Sequence, residues 1–195
     1  MKGFSKVRFA PIDASQPSVG GYPVYKEFVK LYEQTEELNN VSLAITDNTA
    51  TTEKRADNIV KVKEIKESFS LTLEVYGIDI DGAVAVFGAT KDKNGNEILV
   101  VNSATKPRGC LFFETISDDN KRIQNYLYDV ELSAPPINAT TGLEDTTVQI
   151  TGTGKYLTIN GQQLQGAKVY EGNTGFVTDG NPTEVYKPST DATNL

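Results

Sequence analysis

Ser68-Phe69-Ser70-Leu71-Thr72-Leu73-Glu74-Val75 decides the fold class. In an extended chain Phe69, Leu71, Leu73 and Val75 fall on one side, and Ser68, Ser70, Thr72 and Glu74 on the other. That period of two marks a strand with one face against a core and one toward water. Just upstream, residues 58–66 continue the alternation through Ile59, Val60 and Val62. Val41, Leu43 and Ile45 make a second clean alternating strand with Ser42, Ala44 and Thr46 between them. Residues 47–56, DNTATTEKRA, separate the two stretches. That segment is polar and lacks large apolar side chains, so it predicts a solvated loop.

Farther out, the pattern stays β-rich. Lys6 to Ile12 alternates and is closed by Pro11 and a turn cluster ending in Gly20-Gly21. Residues 24–38 fit a helical face through Val24, Phe28, Leu31 and Tyr32. They fit a strand side through Tyr25, Glu27, Val29 and Leu31 equally, and their aromatic and β-branched content tilts them toward extended structure. One helix is predicted over 79–88. Asp79 and Asp81 suit its N-terminus, Gly88 suits its end, and Ile80, Val84 and Phe87 share a side. Asn94-Gly95 centres a turn that leads into a strand over 98–101. Arg108 to Ile116 is nearly all apolar, as in a strand buried on both faces. Tyr126, Tyr128, Val130 and Leu132 alternate with Leu127, Asp129 and Glu131 before Pro135-Pro136 ends the run. Val148 and Ile150 mark a further strand. After about Gly152 the texture turns to Gly, Asn, Thr and Gln, and Leu157 to Ile159 and Ala167 to Tyr170 predict only short strands. The expected division is a β domain over 1–152 and an extended, partly disordered C-terminal arm over 153–195.

The inventory of reactive groups is thin. The 195 residues contain no histidine, no tryptophan and one cysteine. Without histidine the usual proton-transfer triads and most zinc sites are missing. The lone Cys110 lies among Leu111, Phe112 and Phe113 and reads as a small buried hydrophobe. Asp92-Lys93-Asn94-Gly95-Asn96 starts like a calcium loop, but the sixth and twelfth positions hold Glu97 and Ser103 instead of glycine and glutamate. Gly152-Thr153-Gly154-Lys155 lacks the Ser or Thr that follows a phosphate-loop lysine. Asp79 and Asp81 are explained by the helix start. No catalytic, cofactor or metal residue is therefore assigned, and an enzyme is not expected.

Charge narrows the partners. The net charge is −7. Residues 1–66 carry 10 basic and 9 acidic side chains, leaving 9 and 17 for residues 67–195. A surface so acidic repels phosphate backbones, which disfavours tight nucleic-acid binding. No run approaches the length and apolarity of a membrane span, and Met1-Lys2-Gly3-Phe4 lacks a secretory signal.

Several blocks in succession resemble the major tail proteins, or tail-tube proteins, of long-tailed bacteriophages of Gram-positive hosts. They are Lys6-Val7-Arg8-Phe9, Val41-Ser42-Leu43-Ala44-Ile45, Ala56-Asp57-Asn58-Ile59-Val60 and Ser70-Leu71-Thr72-Leu73-Glu74. Lys93 to Val100, Leu111-Phe112-Phe113-Glu114, Lys121 to Tyr126 and Pro135-Pro136 continue the series over about residues 4–155. Beyond Gly154 the chain departs from shorter members. The resemblance implies a mainly β subunit, a sandwich or barrel with one flanking helix. Copies would join edge to edge into hexameric rings, stacked as the tube that delivers DNA. It further implies synthesis in the host cytoplasm, a place in the virion, and contacts with tape-measure, tail-terminator and distal tail proteins. DNA would be met only in passage. The loop matching the family's inter-ring contact holds Asp47, Thr51, Glu53, Lys54 and Arg55. Glu114, Asp118, Asp119, Asp129 and Glu131 are candidates for an acidic lumen. Two alternatives stand: a secreted or surface β-sandwich that binds sugar or protein, and the tube protein of a contractile injection system.

Overall fold

The computed structural model describes residues 4–32, 42–56, 59–75, 80–88, 90–98, 106–133 and 148–188. Twelve strands and one helix run through them in the order β1 (Phe4–Pro11), β2 (Val29–Tyr32), β3 (Ser42–Ala56), β4 (Ile59–Val75), α1 (Ile80–Phe87), β5 (Thr90–Lys91) and β6 (Glu97–Ile98). They continue with β7 (Arg108–Ile116), β8 (Arg122–Ser133), β9 (Val148–Lys155), β10 (Leu157–Ile159), β11 (Gln162–Leu164) and β12 (Gly166–Tyr170). The protein is thus mainly β, as its alternation predicts.

The main sheet has the order β2-β1-β7-β8-β9-β4-β3, with β12 also on β8. All of these pairs are antiparallel. β8 is the fork. Its Val130–Ser133 half pairs with β9, and its Ile123–Leu127 half pairs with β12. Between the pairs Gly109↔Val130 and Leu111↔Leu127 the register slips, so Cys110 faces both Tyr128 and Asp129. Such a bulge bends and twists the strand that carries the extra residue.

The first core lies on one face. Phe69, Leu71, Leu73 and Val75 are all buried there, joined by Val7, Phe9, Leu111, Phe113, Val130, Leu132 and Ile150. Because β1 and β4 stand four places apart in the sheet yet share this cluster, the sheet curls around it. Helix α1 rests on β2, and Gly82 allows the approach, since a Cβ there would lie 2.7 Å from the Lys30 carbonyl oxygen. Its inward residues are Ala83 and Val86, with Phe87 partly buried, and not the expected Val84. The close backbone approach at Gly82 brings its neighbour Ala83 inward, while Phe87 of the expected side packs on the core and Val84 is partly buried. Asp79 lies outside the described residues.

The second core covers the other face of β7 and β8. Ala10, Tyr22, Cys110, Phe112, Tyr126 and Tyr128 meet Ile159, Val169 and Val185 there. The expectation that β7 is buried on both faces holds.

Two expectations are overturned. Residues 47–56 are not a loop but the continuation of β3, paired residue by residue with β4 as far as Ala56↔Ile59. Residues 47–56 hold no large apolar side chain, so hydrophobic period could not reveal the strand. Its threonines, which favour extended backbone, were the usable signal. Residues 153–188 are likewise not an extended arm. β9 runs past the expected boundary to Lys155, β12 adds to β8, and the segment after it lies on the second core. The glycines that suggested a boundary have a packing role. A Cβ on Gly152 would lie 2.6 Å from Leu132, and one on Gly154 would overlap the Phe69 ring.

Candidate assembly surfaces

β9 pairs with β4 only over Ser68–Val75. Ile59–Lys66 therefore has β3 as its single described neighbour, and the pair leaves the sheet as a two-stranded ribbon. At the rise of a strand its eight residues project about 25 Å. The register shift lies at its root, where Asn48 pairs with Ser68 but Thr49 with Lys66. Glu67 is thus an extra residue, and the bulge it makes redirects the ribbon.

Side chains at that root are tied together. Asp47 accepts a hydrogen bond from Tyr156 at 2.7 Å and an ion-paired one from Lys66. Those bonds, the Lys66 ammonium first, hold the Asp47 carboxyl below the usual carboxylate range. Desolvation and then the Asp47 carboxylate push the Tyr156 phenol up to about 12. Asn48 donates to Ser68 and Ser70 at 3.1 and 3.0 Å. Of the residues expected at an inter-ring contact, Asp47 thus belongs to the root. Thr51, Glu53, Lys54 and Arg55 stand in the ribbon opposite Glu64, Val62, Lys61 and Val60.

The ends of the sheet are the second surface. β2 and β3 close the strand order at either side, and no described strand pairs with their outer edges. Near the β3 edge the first core is incompletely covered. Ile45 sits opposite fully packed Leu71 yet remains 39% exposed.

The five acidic candidates do not come together. Glu114 is 2% exposed, accepts a hydrogen bond from Gln124 at 2.9 Å and stands 3.9 Å from the Arg122 guanidinium. As a residue of the buried β7–β8 face it is not a surface carboxylate, which corrects its place among the lumen candidates. Asp129 and Glu131 both hold Arg108, at 2.6 and 3.2 Å, at the start of β7. Asp118 and Asp119 lie beyond the far end of β7, in the exposed turn toward β8. There the Ser117 hydroxyl bonds Asp119 and lowers its carboxyl.

Sequence reading missed a polar clasp around Glu114. The Gln124 side-chain amide donates to the Val177 carbonyl at 2.7 Å and accepts from the Val177 N–H at 3.0 Å. It thus imitates one rung of a β-ladder. Lys6 donates to the Asp179 carbonyl and Arg8 to the Asn181 side chain. Gly180 has a left-handed backbone, φ 68°, and a Cβ on it would sit 2.7 Å from the Lys6 ammonium and 2.9 Å from the Glu114 carboxylate. No local pattern announces contacts between residues more than fifty positions apart.

Among the described residues no group of three histidine, cysteine or acidic side chains is placed to hold a metal. None of their helices is long and apolar enough to cross a membrane. No protein-family model matches the chain, and no curated protein matches it either.

Proposed function

We propose that this protein is a structural subunit of the tail-tube type. Its copies join sheet edge to sheet edge in six-membered rings that stack into a conduit for DNA. One observation carries the reading: over Thr49–Ala56 and Ile59–Lys66 the β3–β4 ribbon runs past the end of β9, with no further described strand pairing to it. A lone two-stranded hairpin is marginally stable in water, and a long edge strand invites pairing with another chain. Both liabilities vanish when a ring closes on itself and the ribbon lies on the next ring.

In this reading the outer edge of β3 and the half-covered Ile45 meet a neighbouring copy, and the ribbon makes the inter-ring contact. The lumen takes its acidity from exposed carboxylates, with Asp118 and Asp119 remaining candidates. A negative wall repels phosphates and lets DNA slide. Place in the virion and contacts with tape-measure and terminator proteins follow from this role.

Electron microscopy of the purified protein across a concentration series tests it. Hollow tubes or six-fold rings are expected. A particle that stays monomeric at the highest concentration would sink the reading.

A further inference from the structure

A cavity of about 680 Å³ lies between residues 24–27 and the C-terminal segment 175–187, with Tyr126 of β8 among its lining residues. Tyr126 is 1% exposed. No described residue hydrogen-bonds its hydroxyl, and the oxygen is not sealed away from solvent. That hydroxyl is thus the polar part of a buried side chain that the cavity reaches. Two walls are fixed in advance. The Tyr25 hydroxyl donates to the Tyr128 carbonyl at 2.8 Å, and the Tyr128 hydroxyl donates to the Tyr186 carbonyl at 3.1 Å. A site held in shape before its ligand arrives loses less freedom on binding.

The lining selects a chemistry. Lys26 and Lys187 are balanced by Glu27 and Glu184, all four exposed, so neither an anion nor a cation gains. A wholly apolar ligand would strand the Tyr126 hydroxyl. What suits half-buried tyrosine rings, valine side chains and a waiting hydroxyl is a neutral molecule with an apolar face and a hydroxylated rim. The volume falls in the range of small-molecule sites. From this juxtaposition we infer that the cavity is a binding site for a neutral sugar of one to a few rings, one wall of it being the C-terminal segment. The site does not depend on ring assembly.

The test is a ¹⁵N–¹H correlation titration of the full chain with maltotriose and chitotriose as neutral probes, and with sialyllactose and a free dipeptide as anionic and zwitterionic controls. Saturable shifts confined to residues 24–27, Val177 and 183–187 are expected with at least one neutral probe. Tyr126→Phe removes a single hydroxyl without opening a hole, and it should weaken that binding about three- to tenfold while leaving the melting temperature unchanged. No saturable shift with either neutral probe overturns the site. So does equal binding by Tyr126→Phe, or a control that binds as well as the sugars. If Tyr126→Phe melts lower, the comparison of neutral and charged probes on the parent protein decides alone.

Discussion

Gly154 faces Phe69 across the β4–β9 pair, and the ring fills the space where a side chain would stand. An aromatic laid over a strand glycine stiffens a position that is otherwise costly to order. Gly154→Val should therefore destabilise the fold by about 1–3 kcal/mol, as overpacking does. Urea denaturation measures it, and in a Phe69→Ala background the added cost should shrink, because the clash has lost its partner. Ionisation offers a second prediction at this scale. The Tyr156 phenol is raised above its unfolded value, and burial raises those of Tyr25, Tyr126 and Tyr128 as well. Groups raised in the folded state contribute stability that is complete below the unfolded pKa of about 10 and lost as pH climbs through the folded values. Phenolate absorbance should thus lag behind that of a denatured sample until the fold gives way. Asp47→Asn should move Tyr156 back toward its ordinary range, because it removes a neighbouring negative charge. An unchanged Tyr156 titration in that variant would refute the link. At this scale the sequence was legible where the neighbours in the chain matter. Cys110, set among Leu111, Phe112 and Phe113, is fully buried and its thiol is raised by burial. Glu114 was not legible, since its surroundings come from Gln124, Arg122 and the distant turn at Gly180.

Among the elements, hydrophobic period found those whose sequence alternates or runs apolar and missed the polar stretch of β3. Phe69 to Val75 and Arg108 to Ile116 stand where alternation and a continuous apolar run place them. The outer part of β3 holds no large apolar residue, so DNTATTEKRA carried no hydrophobic period to read. Helix α1 was legible as a helix, but the close approach of Gly82 to the β2 backbone was not, since spacing of apolar residues does not reveal a backbone contact. The paired register also dictates how the ribbon must be tested. Deleting 47–56 alone would strip β4 of its partner and unfold the root at Asp47. Removing Thr51 through Glu64 as matched pairs, with Ala50 and Ile65 joined by an Asn-Gly turn, preserves the root and the sheet. Such a variant should melt within a few degrees of the parent, yet form rings or monomers that no longer stack. Sedimentation and microscopy read both outcomes. Tubes of ordinary length from the shortened chain would remove the ribbon from the assembly contact.

For the molecule as a whole, the segment after Lys155 is a second layer. Ile159, Val169 and Val185 cover one face of β7 and β8, and Gln124, Lys6 and Arg8 fasten the segment at Val177, Asp179 and Asn181. A composition rich in Gly, Asn and Thr concealed this, because a cover laid on as short strands and turns needs few apolar anchors. Cutting the chain after Lys155 would expose Phe112, Tyr126 and Tyr128 together with the Glu114 carboxylate. A contiguous aromatic patch of that kind drives aggregation. The shortened chain is expected to bind a hydrophobic dye, lose near-ultraviolet ellipticity and precipitate. A well-folded, soluble 1–155 fragment would overturn the two-layer account and restore a domain with a dispensable arm. The proposed assembly would give the two regions different roles. The segment after Lys155 covers the second core within the subunit, and on that proposal the ribbon and the β3 edge would be left for neighbouring copies. Loss of the cover should therefore abolish folding and assembly together, and loss of the ribbon should abolish stacking alone.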